Sequence, residues 1–445
     1  MHILRNQHCR VLCLAVLSVF TLTAWSDKLN DELHRIFDIA ERNNSMIHAD
    51  AIASQKARSD VNVARSERLP DINTSLSLSY IGNGQLWNRN FGEYMTAEMP
   101  HFGNSFSLSV RQPVYMGGAI TGGIRAAELS VDMANLNEEQ TRSNVYMQLT
   151  ALFLQLHCLE NSAEVLRHNI ALADTLIARA TDRRNEGVAL KNDITRYELM
   201  RSMMEVKLTA VTNGISVAEK ELHTAAGLPD SASMKLAKLD IADFDVAEAI
   251  SEDYWQRLAA SGNTGIRRSA VLEQLSVQNE KIVRSASLPK VSLFAENNLN
   301  GPILIEVPPI NKNFNLWMAG VSVSYDISSL YKNKRKVRSA EIATRQIEQQ
   351  SISTREKVGD SVHEAYMNLL TAQSDLQTHR VSHRLAQENY DVIAERYREG
   401  LALVTDMTDA SNLRLEAELQ LVNSQIAVAG AYFQLKYIVG ELGKR

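Results

Sequence analysis

Cysteine is nearly missing from this chain. The 445 residues hold three, Cys9, Cys13 and Cys158, and the first two lie in a short apolar N-terminal segment. A chain left with Cys158 alone has no intrachain disulfide framework. Neither Cys9 nor Cys13 follows the small residues of a lipidation site, so no lipidated mature end is expected. Glycine and proline are few and aromatics make up only 6% of the residues. With Ala, Leu, Glu and Gln frequent, that composition suits long helices. The formal net charge of −5 gives no reason to expect a nucleic-acid partner. Outside the N-terminus no apolar run reaches the length of about 18 residues that a spanning helix needs. Nor is there a Gly-rich phosphate loop, a nucleophile with a base, or a carboxylate pair with a pocket. The residues therefore support no enzyme and require no cofactor.

What is there begins with the N-terminus. Arg5 and Arg10 precede the apolar run Val11 to Phe20, which ends near Ala24-Trp25-Ser26. This pattern predicts a secretory signal peptide over residues 1–26; a membrane anchor would need a longer run.

The rest of the chain is organised around a stretch that occurs twice. Glu399 to Thr408 reads E-G-L-A-L-V-T-D-M-T, and Glu186 to Thr195 reads E-G-V-A-L-K-N-D-I-T, so six of ten positions match and Gly400 answers Gly187. Each copy lies between two long apolar-periodic segments, as the tip of a helical hairpin would. Gly187 and Gly400 suit the left-handed position after a helix, and Asp or Thr can cap the helix that follows. The duplication extends outward. Arg125-Ala126-Ala127-Glu128 recurs as Arg338-Ser339-Ala340-Glu341, at the same offset as the two tips. Leu222 and Gly227 recur as Leu435 and Gly440, again at that offset. Upstream, Arg65-Ser66 and Leu69-Pro70 recur as Arg284-Ser285 and Leu288-Pro289 at a slightly longer offset, so the intervening loops differ in length.

Taken in order, Asp27 to Asn43 and Ser45 to Leu69 read as helices, the second stopped by Pro70. Strict alternation then places Ile72, Thr74, Leu76, Leu78 and Tyr80 on one face and Asn73, Ser75, Ser77 and Ser79 on the other, which is a strand with one apolar side. A Gly- and Asn-containing loop, Ile81 to Asn104, leads to a second strand with Phe106, Leu108 and Val110 facing one way. The second half repeats this with Val291, Leu293 and Ala295, and with Trp317, Ala319, Val321, Val323 and Tyr325. A sheet on a soluble core is one reading of these strands. A lipid-facing sheet is the other, favoured by the small, Ser-rich opposite face and by Trp317 and Tyr325, which bracket the apolar face as interface aromatics do. Four strands cannot close a barrel, and open edges are not tolerated in lipid. Several copies would then have to share one barrel.

From Gly118 the pattern is helical to Glu186, a length of roughly 100 Å. Its stripe runs Val145, Leu149, Leu152, Leu156, Leu159, Ala163, Leu166, Ile170, Ala173, Ile177, Ala180 at alternating spacings of four and three, a coiled-coil seam. The return helix, Asp193 to Ala226, and the second half keep the same period. Pro229 to Glu248 reads as a connector. His379 and His383 sit four apart on a helix face and form either a metal pair without a third ligand or, the better reading, a hydrated face. His157-Cys158 reads as packing. Lys332, Lys334, Arg335, Lys336 and Arg338 follow the last strand as a charge run, which by itself reads as solvated.

Together these features resemble the TolC-type outer-membrane efflux proteins. Arg111-Gln112-Pro113-Val114-Tyr115-Met116-Gly117-Gly118 is similar to the family's strand-to-helix junction. Leu29 and Leu33, followed by Ala40-Glu41-Arg42-Asn43-Asn44, resemble its N-terminal segment. The resemblance implies a mainly helical chain with a small β part, built as a duplicated strand pair plus long helical hairpins. Three such chains would form a twelve-stranded β-barrel joined to an α-helical tunnel. It implies a signal peptide (1–26), a first repeat (27–230), a connector with an equatorial helix (231–274) and a second repeat (275–445). The implied function is an outer-membrane channel, with a long periplasmic portion, that exports small molecules without chemistry of its own. Its partners would be two further copies, a periplasmic adaptor, an inner-membrane transporter and outer-membrane lipid, and the family topology would put Lys332, Lys334, Arg335, Lys336 and Arg338 at the inner leaflet, within reach of anionic lipid heads. Asp406 and Asp409 fall where the family narrows the tunnel mouth, and Tyr397 and Asp193 where contacts hold it shut. One departure is Ala402, which stands where a family member carries an Arg. Helix capping alone is the alternative for Asp193 and Asp406. A type I protein-secretion channel, or a coiled-coil structural or adhesion protein, are the alternative functions.

Overall fold

The computed structural model describes residues 29–229, 251–306 and 309–444. The expected signal peptide and residues 230–250 of the expected connector region lie outside them, while the part expected to hold an equatorial helix, from 251 to 274, is described. Among the described residues the order is α1 (29–43), α2 (Ser45–Ser66), β1 (Asp71–Tyr80), β2 (Gly84–Trp87), β3 (Tyr94–Ala97), β4 (Phe102–Tyr115), α3 (Ala119–Asn185), α4 (Lys191–Ala225), α5 (Glu252–Gly262), α6 (Thr264–Ser285), β5 (Lys290–Gly301), β6 (Phe314–Ser324), α7 (Ser329–Arg398) and α8 (Val404–Ile438). The chain is mainly helical, and no described helix is long and apolar enough to cross a membrane. It divides into two compact units. Among the described residues, one comprises 29–52, 136–229, 251–267 and 353–444; the other comprises 53–135, 268–306 and 309–352.

The smaller unit contains an antiparallel sheet of order β1-β4-β5-β6. Its register carries the alternation from strand to strand. Ile72 lies opposite Val110, Val110 opposite Ala295, and Ala295 opposite Ala319, so one face is apolar across all four strands. The other face is Ser-rich on β1 and β4 but carries Phe294 on β5 and Phe314, Leu316 and Met318 on β6. Its polar side chains bond across strands, Ser75 Oγ to Ser107 Oγ at 2.8 Å, and Ser105 Oγ donating to Asn300 Oδ1 at 2.7 Å. Leu76 and Val321 on the apolar face are 69% and 62% exposed, so nothing among the described residues covers that face there. Strands β1 and β6 each have one neighbour and leave an open edge.

Two expectations change here. The stretch 81–104, expected as a loop, folds β2 onto β3 as a separate hairpin. The Trp87 and Tyr94 rings, 4.8 Å apart across the strands, hold it. Strands of four residues among Gly and Asn are too short for alternation to reveal. Tyr325, expected within the last strand, lies one residue past the end of β6.

In the larger unit the predicted seam is the core. Val145, Leu149, Leu156, Ala163, Leu166, Ala173 and Ala180 are all buried. Three apolar clusters hold the helices, the second at the hairpin tips and the first and third at one level of α8. The first joins Ile36 and Ala40 to Leu149 and Leu222; the third joins Trp255 and Ala259 to Val362 and Leu435. These are the same positions of the duplicated sequence. Trp255 and Ala259 answer Ile36 and Ala40 at the offset of Arg65 and Arg284, and Val362 and Leu435 answer Leu149 and Leu222 at the offset of the tips. Each of the Ile, Leu and Val side chains among these contributes about 1.5–3 kcal/mol by leaving water.

The joints between helices are duplicated as well. Asn44 starts α2 by accepting from the Met46 and Ile47 amides, and its Nδ2 donates to the Ala225 carbonyl that ends α4, at 2.8 Å. Asn263 likewise accepts from the Ile266 amide in α6 and donates to Ile438 O at the end of α8, at 2.7 Å. Gly227 (φ 73°) and Gly440 (φ 77°) close the same joints, and a Cβ on either would run into the carbonyl of Asn43 or Gly262. The pair α5–α6 is therefore the counterpart of α1–α2.

Candidate functional site: the two hairpin tips

Both tips belong to the larger unit and share one backbone device. At the end of α3 the Gly187 amide donates to Arg184 O at 2.9 Å and the Val188 amide to Arg183 O at 2.9 Å, with Gly187 at φ 82°. At the end of α7 the Gly400 amide donates to Tyr397 O at 3.1 Å and the Leu401 amide to Arg396 O at 2.7 Å, with Gly400 at φ 80°. The left-handed turn satisfies carbonyls that a helix end leaves bare. The next helices begin alike. Asp193 Oδ2 accepts from the Leu190 amide at 2.9 Å, and Asp406 Oδ2 from the Leu403 amide at 2.9 Å. Asp193 and Asp406 thus stand in the third helical position and reach back, rather than occupying the cap itself. The cap residues are Leu190 and Leu403, whose side chains accept no hydrogen bond.

The two tips meet through Arg183 and two tyrosines. Arg183 Nη1 donates to Tyr397 O at 3.1 Å, and its guanidinium carbon lies 5.3 Å from the Tyr397 ring centre. A side chain from α3 therefore helps to satisfy the carbonyls that end α7. Tyr397 is buried, with its ring edge-on to Tyr197 at 6.3 Å. Tyr197 has no exposed surface, and burial, then the neighbouring Tyr397 hydroxyl and Asp193, push its phenol well above the usual range. No hydrogen bond joins Tyr397 to Asp193 among the described residues; Tyr197 stands against Tyr397 and within the field of Asp193. Arg183 and Tyr197 carry this contact and were not singled out in the sequence. Arg183 had a usable signal, because Arg396 answers it at the offset of the tips.

Farther along the helices a buried cation links three of them. Arg414 of α8 donates to Asn169 Oδ1 of α3 at 2.8 Å and lies 4.0 Å over the Tyr390 ring of α7. Asn169 passes the contact on to Glu418 Oε2 at 2.8 Å. A groove of 720 Å³ lies between α4 and α8, lined by Leu199, Met200, Met203, Met204, Leu415 and Leu419 among others.

The remaining candidates are placed as follows. Asp406 and Asp409 are exposed on the first turns of α8, and Asp409 has no hydrogen bond or ion pair among the described residues. Ala402 packs half-buried against the tip core. His379 and His383 are half-buried on α7, and the described residues hold no group of three or more metal-ligating side chains. His157 packs edge-on to Phe153, and burial lowers its imidazole's affinity for a proton. Cys158 donates to Asn423 Oδ1 at 3.0 Å. Trp317 lies on the apolar face of β6 and Tyr325 just beyond that strand, both exposed.

Known proteins with this architecture agree with one another. Solved structures of the outer-membrane channel OprN and of VceC from Vibrio cholerae superpose with TM-scores of 0.78 and 0.77. They cover 95% and 94% of this chain, and 93% and 98% of theirs, at 14% identity in each case. At that identity the likeness is one of fold. The outer membrane efflux protein BepC of Brucella suis is 21% identical over 429 residues, which is 96% of this chain and 89% of that protein. Residues 36–198 and 255–441 match the profile of the outer membrane efflux proteins. The chain belongs to the outer membrane efflux protein family.

Proposed function

We propose that three copies of this chain close one twelve-stranded barrel over a helical tunnel, as the exit duct of an efflux system for small molecules. The family's members are outer-membrane channels and not enzymes. The observation that carries the reading is the sheet. Strands of 10, 14, 12 and 11 residues suit a tilted crossing of the bilayer. They present one largely apolar face, with Thr74 and Asn297 as polar positions within it, and end in two open edges that further copies can pair. Trp317 and Tyr325, eight residues or roughly 26 Å apart along the strand, mark the two membrane interfaces in this reading.

The long helices form the periplasmic portion, with the tips as its mouth. Asp406 and Asp409 line the constriction, and Tyr397 and Asp193, with Tyr197 between them, hold it closed. A periplasmic adaptor takes the groove between α4 and α8, whose Leu199 and Met203 are exposed and apolar, and an inner-membrane transporter supplies the work. The test is a mass measurement on detergent-extracted protein together with conductance in a planar bilayer. A trimer that conducts is expected. A stable monomer, or a trimer without conductance, overturns the proposal.

A further inference from the structure

The smaller unit contains a charge cluster that neither the sheet nor the helices require. Lys332, Lys334, Arg335, Lys336 and Arg338 occupy the first three turns of α7, all exposed. Only Arg338 has a carboxylate at ion-pair distance among the described residues, Glu341 at 3.4 Å. The duplicated sequence separates structural from surplus charge. Arg338 corresponds to Arg125, which pairs in the same way with Glu128 at 3.1 Å. Lys332, Lys334, Arg335 and Lys336 correspond to Ala119, Thr121, Gly122 and Gly123. The fold is thus built once without these four cations.

Their placement disfavours the helix. The N-terminal end of a helix is its positive pole, and the acid at the start of α7, Asp326, precedes the first turn, accepts from the Ser328 amide at 3.0 Å and lies in the field of Lys332. Lys332 and Lys336 are also like charges one turn apart. The direction they face is fixed. Asn333 is buried and donates to Val283 O at 2.9 Å and to Ser287 Oγ at 2.6 Å, at the end of α6 and just past it, which turns the cations outward. Just before them the chain exposes Tyr325, Ile327, Leu330 and Tyr331, so the apolar face of β6 continues directly into the cluster.

We propose that the β6–α7 junction binds the headgroups of anionic phospholipids, their phosphates against Lys332, Lys334, Arg335 and Lys336 and their acyl chains against Ile327, Leu330 and Tyr331. This rests on the reading of the sheet as lipid-facing and adds to it a defined lipid class and a site present once per chain. Cations beside an apolar surface attract an anionic bilayer surface, each worth roughly fivefold in affinity. Arg338, already paired, contributes little.

The experiment compares full-length protein with a variant carrying Lys332→Gln, Lys334→Gln, Arg335→Gln and Lys336→Gln. Retention of phosphatidylglycerol and of phosphatidylcholine is measured by native mass spectrometry from detergent. Wild type should retain phosphatidylglycerol preferentially, and the variant should lose that preference by at least about tenfold, while Arg338→Gln keeps it. Equal retention of both lipids by wild type overturns the site, as does undiminished preference in the variant. Complete displacement of lipid by inorganic phosphate would show a free-anion site only and overturn it too. If the variant fails to assemble, wild type's discrimination between the two lipids decides. Conductance of the variant in a phosphatidylcholine bilayer reports separately on the channel reading.

Discussion

The two hairpin tips have the same backbone and different charges. Gly187 and Gly400 turn the chain, and Asp193 and Asp406 hold the first amides of the returning helices, at matching distances. Around that frame the side chains diverge. Arg184 in the first tip corresponds to Tyr397 in the second, Lys191 to Val404, and Arg196 to Asp409. What is repeated is what the turn needs. What is not repeated is available for the mouth of the tunnel. By this comparison Asp406 has a structural duty shared with Asp193, whereas Asp409 has none, which makes it the better candidate for a role in conduction.

The largest effect is expected where the first tip reaches into the second. Tyr197 is fully buried against Tyr397, and its counterpart in the second tip is Ala410. Tyr197→Ala makes the tips more alike in sequence but leaves a void, at a cost of about 3–5 kcal/mol. Faster proteolytic nicking at both tips, with the four-stranded sheet still resistant, is the expected result. Protection equal to wild type would show that the two tips do not support each other.

Next come the turns. No protein atom lies within 4 Å of a Cβ built on Gly187, and only Arg183 Nη2, at 3.8 Å, lies near one on Gly400. Alanine at either site therefore pays only for the left-handed backbone, about 1–2 kcal/mol. The two variants should melt alike in detergent. A much larger loss at Gly400 would mean that its contact with Arg183 matters more than the turn.

Much of this was legible in the sequence because it is periodic. The seam from Val145 to Ala180 and the alternation from Ile72 to Tyr80 follow from spacing alone, and the matching tips follow from the duplication. The β2–β3 hairpin was not legible, since four-residue strands carry too little pattern. The Arg183–Tyr397 and Arg414–Asn169 hydrogen bonds were not either. Each joins different helices across about half the chain, and one chain's pattern says which face of a helix is buried, not which helix lies against it. The pairing of α5–α6 with α1–α2 is an intermediate case. Asn263 answers Asn44 at the offset already evident at Arg65 and Arg284, but a single Asn is a faint signal until its bonds are seen.

The smallest expected change in stability belongs to the residue with the largest expected change in conduction. Asp193→Ala and Asp406→Ala each remove an acceptor for a helix-start amide and should cost about 1 kcal/mol. Asp409 is exposed, with no ion pair among the described residues, so Asp409→Ala should change stability by less than about 0.5 kcal/mol. In a trimer, three copies of Asp409 would face one axis, where like charges in a narrow lumen favour cations and retain divalent ones. Asp409→Ala should then weaken cation selectivity and divalent block, Asp406→Ala should weaken both stability and selectivity, and Asp193→Ala stability alone. Reversal potentials in planar bilayers under a salt gradient, alongside melts of the same preparations, separate the three patterns. If selectivity and block survive in the Asp406→Ala, Asp409→Ala double variant, the acids of the second tip do not gate the channel, and Asp406 acts only on its helix, as Asp193 does.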